Sequence, residues 1–183
     1  MRILIVGPPG AGKGTQAAVL SAELGVAHIS TGALFRAHVD RRSDLGRKVK
    51  QYLDAGALVP DEVTNEMVAQ RLTDDVCREG FLLDGFPRTV RQAEVLENLL
   101  RERDCAIDTV LEFDVPEDQV VARLLARGRG DDTEDVIRHR QQLYREQTAP
   151  LLDFYADRLV TVPAAGSVPD VTARALHALR TRA

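Results

Sequence analysis

RILIVGPPGAGKGTQ, residues 2–16, decides the fold. Ile3, Leu4, Ile5 and Val6 form a short aliphatic run closed by Gly7, the pattern of a buried strand. Gly7-Pro8-Pro9-Gly10-Ala11-Gly12-Lys13 follows. Glycines let a backbone turn tightly with no Cβ in the way, so successive N–H groups can face one concave point. Beyond Lys13, Ala17, Leu20, Ser21 and Leu24 recur at helical spacing, so a helix begins directly behind the loop. Its unpaired N–H groups and positive dipole end suit a phosphate, and Lys13 adds a mobile positive charge. This is G-x-x-x-x-G-K in the strand–loop–helix setting that gives the motif its meaning. A ligand-free Gly-rich turn is the bland alternative, but it leaves the lysine unexplained. One position departs from the generic pattern: Gly14 stands where Ser or Thr is usual, and the hydroxyl arrives at Thr15. Direct magnesium ligation by that hydroxyl is therefore in question.

The rest of the chain bounds the answer. A length of 183 residues suits one domain with an excursion or two, and 44% hydrophobic content supplies a core. A net charge of −4 is no electrostatic footprint for nucleic acid or an anionic membrane, so positive charge must be arranged locally. Aromatics are 4% with no Trp, which argues against base-stacking platforms. The N-terminal apolar run is too short for a signal peptide or a membrane span. Cys77 and Cys105 stand apart with no C-x-x-C, so a cysteine-built zinc site is excluded and reduced thiols in the cytoplasm are expected. His28, His38, His139 and His177 are scattered and read as surface or packing residues.

In chain order, Val26–Ile29 reads as a second strand, with Thr31 placed to cap the helix that starts near Ala33. Asp44–Ala55 reads as a further helix stopped by Gly56, and Pro60-Asp61 opens the next. Two helices over 32–55 exceed what one crossover needs and suggest a small helical flap. Gly80–Asp84 is a third strand ending in an acid, followed by Gly85-Phe86-Pro87-Arg88. Asp84 is either an acid for a magnesium hydration shell or a helix cap. Pro87 fixes the backbone so that Arg88 is held at the carboxyl edge of the sheet, where parallel sheets bind ligands. Thr89–Arg103 is amphipathic and carries Gln92 on its first turn, Thr109–Val115 is strand four, and Pro116-Glu117 opens a helix. Arg158–Val162 is strand five, and Val168–Leu179 is a closing helix. Alternating strands and helices predict an α/β fold with a parallel sheet and right-handed crossovers. ARLLARGRGDDTEDVIRHR, residues 122–140, is a glycine-hinged arginine loop between two helices. Alone it reads as a solvated, salt-bridged loop; beside a P-loop and Arg88 its guanidinium forks match phosphate oxygens.

These stretches together resemble the adenylate kinase family. GPPGAGKGTQ at 7–16, STGALFR at 30–36, DGFPRTVRQA at 84–93 and RGRGDDTEDVIRHR at 127–140 match its order and spacing over essentially the whole chain. The short stretch after Arg127 resembles the short-lid form, without zinc. The resemblance implies a P-loop three-layer α/β sandwich with a central five-stranded parallel sheet. Its core would be 1–29, 60–125 and 134–183, with a monophosphate-binding flap at 30–59 and a short lid at 126–133. It implies that Gly10, Ala11, Gly12, Lys13, Gly14 and Thr15 wrap the ATP phosphates, that Arg127 closes over ATP, and that Gly166 offers backbone to its adenine. Thr31, Arg36, Ala57, Leu58, Val59, Gly85, Phe86, Pro87, Arg88 and Gln92 would form the AMP site. Arg129 and Arg140 would meet the phosphates between the nucleotides, and Asp84 would hold Mg2+ through water. The implied catalytic set is Lys13, Arg88, Arg127, Arg129 and Arg140.

The implied activity is ATP + AMP ⇌ 2 ADP with Mg2+ as the cofactor, in a cytoplasmic monomer that binds neither nucleic acid nor membrane. The Gln92 amide, a donor and an acceptor together, matches the edge of adenine. Relatives using UMP or CMP tend to carry Asn in that stretch and Ala where Thr31 stands. Ala33 departs from the family's usual acid and leaves Asp84 with more of the metal's task. A UMP or CMP kinase of the same fold, and a non-catalytic P-loop nucleotide-binding module, remain as alternatives.

Overall fold

The computed structural model describes residues 1–128 and 133–182. Five parallel strands, β1 (Arg2–Val6), β2 (Ala27–Ser30), β3 (Phe81–Asp84), β4 (Thr109–Asp114) and β5 (Leu159–Pro163), form one sheet in the order β2-β3-β1-β4-β5. Helices α1 (Lys13–Leu24), α2 (Thr31–Asp40), α3 (Asp44–Asp54), α4 (Asp61–Arg71), α5 (Asp74–Glu79) and α6 (Val90–Arg101) precede β4. Next come α7 (Glu117–Arg127), α8 (Glu134–Leu143), α9 (Pro150–Phe154) and α10 (Val168–Arg182). A single π-helical turn, Tyr144–Thr148, joins α8 to α9.

The central strands are apolar on both faces because both faces are covered, as parallel sheets require. Alternation sorts β1 between two cores: Ile3 and Ile5 pack with Ala17, Leu20, Val120, Leu124 and Ala175 from α1, α7 and α10. Leu4 and Val6 pack the other way, with Val68, Ala93, Leu96, Leu100 and Leu151 from α4, α6 and α9. The result is the three-layer α/β sandwich that the family resemblance implies.

This layering also creates the site. β1 and β3 are neighbours, yet β1 leads into α1 on one face and β3 leads into α6 on the other. The two loops splay apart and leave a crevice at the carboxyl ends of the strands, a topological switch point. Beside it, α2 and α3 enclose a small separate core of Phe35, Val49, Val59 and Met67.

Several local expectations need correction. Ser30, not Thr31, caps α2: its hydroxyl accepts from Ala33 N at 3.4 Å. Thr31 is instead buried and donates to the Gly85 carbonyl at 2.9 Å. Helix α5 lies outside the elements that the sequence predicts, since six residues carry too little periodicity to register; Thr73 caps it. Of the lid expected at 126–133, residues 129–132 lie outside those described. No helix among the described residues is long and apolar enough to cross a membrane.

Candidate active site

The loop after β1 wraps the start of α1. Gly10 has φ +91°, and a Cβ there would lie 2.8 Å from the Val120 carbonyl oxygen, so only glycine lets the loop seat against α7. Gly12 is left-handed at φ +88° and leads into α1, whose first residues line the crevice. The Lys13 ammonium donates to the Gly7 and Pro8 carbonyls at 2.6 and 2.8 Å and so lies over the loop. Two buried glutamines brace this end. Gln141 on α8 donates to the Pro9 carbonyl at 3.0 Å, and Gln16 on α1 donates to Val168 O and accepts from Thr172 on α10.

Opposite the loop, Asp84 ends β3. Ser30 Oγ donates to its Oδ2 at 3.1 Å, and the same oxygen lies 3.4 Å from where a Gly14 Cβ would sit. The carboxylate thus lies beside the first turn of α1. Gly85, at φ +83°, leaves Thr31 room to bond its carbonyl: a Cβ there would lie 2.8 Å from Thr31 Oγ1.

Arg88 is placed by its backbone as much as by its side chain. Its N–H donates to Gln92 Oε1 at 2.7 Å and its carbonyl accepts from Thr148 Oγ1 at 2.9 Å, while Nε donates to Gly85 O at 3.0 Å. The Phe86–Pro87 peptide just before it is cis. The guanidinium is open to the cleft yet ringed by protein. Burial lowers its pKa; the Asp84 charge opposes that, and the nearby Arg140 and Arg36 cations reinforce it. An arginine remains charged regardless, so this is a knot of like charges that an anion would relieve. Arg140 reaches from α8 to the Leu53 carbonyl at 3.3 Å and lies against Gly56, touching the α2–α3 unit. Arg36 folds over Gly32.

The P-loop, Asp84, Arg36, Arg88 and Arg140 line one cleft of about 1200 Å³. Its walls include Gly10, Ala11, Gly12, Lys13, Gly14 and Thr15 at one end. Thr31, Arg36, Ala57, Leu58, Val59, Gly85, Pro87, Arg88 and Gln92 line it as well, with Asp84, Arg140 and Gly166. Phe86 does not line the cleft: it is buried beneath it in the second core, so any part it plays is to support the backbone. Arg127 ends α7, and Arg129 lies outside the described residues. Among the described residues no cluster of three His, Cys, Asp or Glu could hold a metal.

Several participants escaped the sequence reading. Asp61, read only as a helix opener, accepts from Gln92 Nε2 at 2.7 Å. Gln141 and Thr148 lie outside every quoted motif, and Gln16 closes the first one with no role read for it. His28 and Tyr144 also face the cleft. Burial, with help from the Glu112 and Asp114 charges, pushes the Tyr144 phenol up to about 12.

Comparison with known proteins agrees with the geometry. The family model described as "Adenylate kinase" matches residues 5–160. Among curated relatives, the adenylate kinases of Rhodococcus erythropolis and Nocardia farcinica are each 57% identical over 179 residues, covering 98% of this chain and 99% of theirs. That of Corynebacterium glutamicum is 55% identical over the same share. A P-loop facing an arginine-lined crevice, and sequence identity along nearly the whole length, lead to one conclusion: the chain belongs to the adenylate kinase family, a family of phosphotransferases.

Proposed function

We propose that the protein transfers the terminal phosphoryl group of ATP directly to AMP, giving two ADP. The observation that carries this reading is a single cleft with two differently built ends and a cationic middle. At one end are the P-loop and α1 N-terminus, suited to a triphosphate. At the other are the flap segment 30–59, with Thr31, Arg36, Ala57, Leu58 and Val59, and the Gln92 amide, suited to a nucleoside monophosphate. Arg88 lies within electrostatic reach of Asp84, Arg36 and Arg140.

Chemistry follows from that layout. The AMP phosphate oxygen is already anionic, so no general base is required. The protein must align donor and acceptor and offset charge on the transferring group. Lys13 would bridge the ATP phosphates once drawn off the loop carbonyls. Arg88 and Arg140 would hold the oxygens between the nucleotides, with planar forks that meet phosphate in two-point contact. Arg127 and Arg129 join this set on the family pattern alone, as does Gly166 at the donor base.

Magnesium fits the residues present. One carboxylate, Asp84, oriented by Ser30 and pressed toward α1, is the kind of sparse donor set that Mg2+ uses when it keeps its waters and is otherwise held by phosphates. When bound, it would neutralise phosphate charge. With Ala33 in place of an acid, Asp84 is the carboxylate we assign to those waters. The free thiols Cys77 and Cys105 fit a cytoplasmic enzyme, and a monomer completes the reading.

The test uses ATP labelled at its γ-phosphate, with AMP and Mg2+. Label should pass to AMP-derived ADP with none retained on protein. Labelled protein, or label released only as inorganic phosphate, would overturn direct transfer.

A further inference from the structure

We infer that Asp61 is a positioning residue for base selection, acting through Gln92 to distinguish a 6-amino purine monophosphate from a 6-oxo one. This deepens the proposed function and rests on Gln92 being the reader of the acceptor base.

Gln92 is 2% exposed, so its carboxamide is held by protein and not by bulk water. One side of it is fully committed. Its Oε1 accepts from Arg88 N at 2.7 Å, and its Nε2 donates to Asp61 Oδ1 at 2.7 Å. These two partners determine which end is oxygen and which is nitrogen. Rotating the amide by half a turn would set an oxygen against the Asp61 carboxylate and an NH2 against the Arg88 N–H. Both hydrogen bonds would become repulsions. Asp61 is itself tied down: Thr89 Oγ1 donates to its Oδ2 at 3.4 Å, and Thr89 also accepts from Gln92 N at 3.1 Å. Asp61 opens α4 immediately after the 57–60 segment, so it reaches the amide from outside α6.

One N–H and one lone pair of Gln92 remain for the cleft, in an order that cannot reverse. An adenine edge offers N6–H as donor beside N1 as acceptor. A hypoxanthine or guanine edge offers the reverse, an O6 acceptor beside an N1–H donor. The fixed polarity matches the first and opposes the second. A neutral amide at position 61 has no fixed polarity of its own, so only the Arg88 N–H would then oppose Gln92 turning over. The same carboxamide holds the Arg88 backbone, so base recognition and placement of that arginine share one group.

The experiment compares AMP with IMP as acceptor, under saturating ATP and magnesium, for the native protein, Asp61→Asn and Gln92→Ala. Asp61→Asn should lower the AMP-over-IMP ratio of kcat/KM by at least about tenfold. It should do so mainly through a higher KM for AMP, with KM for ATP unmoved. An unchanged ratio in Asp61→Asn beside a collapsed ratio in Gln92→Ala would overturn the role of Asp61 alone. An unchanged ratio in Gln92→Ala would overturn the reading of Gln92 and this inference with it. A measurement on the native protein covers the case in which Asp61→Asn does not fold. The Gln92 side-chain NH2 should show one proton protected from solvent exchange by the bond to Asp61, and exchange of both protons at the rate of a free glutamine amide would contradict a held amide.

Discussion

Replacing Arg88 with Met should separate catalysis from stability. Met keeps much of the side chain's bulk and removes its charge. The Arg88 backbone stays held, because Gln92 bonds its N–H and Thr148 its carbonyl independently of the side chain. The loss to the fold is the Nε bond to Gly85 O, about 1 kcal/mol net. Against it stands relief of an unfavourable charge: burial and the neighbouring Arg140 and Arg36 disfavour the folded cation. A basic group whose pKa is lowered on folding destabilises the fold while charged. An arginine stays charged throughout the working range, so this relief does not vary with pH there. The two effects oppose each other, and the relief is damped because Arg88 is exposed to solvent. Tm should stay within about 4 °C of native, given about 2–4 °C per kcal/mol at this chain length. Turnover should fall at least about a hundredfold, or about 2.7 kcal/mol of transition-state stabilisation. Arg88→Lys should fall between the two, because an ammonium restores charge without the two-point fork. ADP formation at saturating ATP and AMP, with thermal unfolding in parallel, reads both quantities. Turnover within threefold of native would refute the catalytic assignment. A Tm drop beyond about 8 °C would show that the side chain is a structural anchor.

Other expectations follow from single sites. Gly10→Ala and Gly12→Ala both force a non-glycine residue to positive φ, at about 1–3 kcal/mol each, but only Gly10 faces a backbone oxygen at 2.8 Å, while a Cβ at Gly12 meets nothing within 4 Å. Gly10→Ala should therefore lower Tm by several degrees more and raise KM for ATP more; equal effects would contradict the loop packing. The Tyr144 phenol is raised from 10 to about 12, so its contribution is intact below pH 10 and is lost as pH rises between 10 and 12. Urea midpoints should fall less steeply over that window in Tyr144→Phe; identical slopes would remove Tyr144 as a source of the alkaline loss.

What the sequence made legible and what it hid have physical causes. The strand–glycine–lysine–helix order of residues 2–16 is local, and local patterns survive in one dimension. The same holds for the acid-tipped strand at Asp84 and the helices over 32–55. Long-range side-chain bonds do not. Nothing marks Gln141 as a partner of Pro9, 132 residues away, or Gln16 as a partner of Thr172. Gln92 was legible as a group for a base edge, yet as a residue it would pass for a surface position; its burial becomes visible only when Asp61 and Arg88 close around it. Thr31 misled because Ser30 and Thr31 are both good caps, and register decided between them. In β2, Ser30 pairs in register with Asp84, which places its hydroxyl at the carboxylate and leaves Thr31 for the Gly85 carbonyl.

The proposed activity is phosphoryl transfer to AMP in one cleft. ADP formation from ATP and magnesium, measured against AMP, UMP, CMP, GMP and no acceptor, tests it most directly. Turnover should be fast with AMP and slight with the others. Preference for UMP or CMP would contradict the reading of Thr31 and Gln92 while leaving the phosphate machinery in place. Turnover independent of any acceptor would contradict the account as a whole.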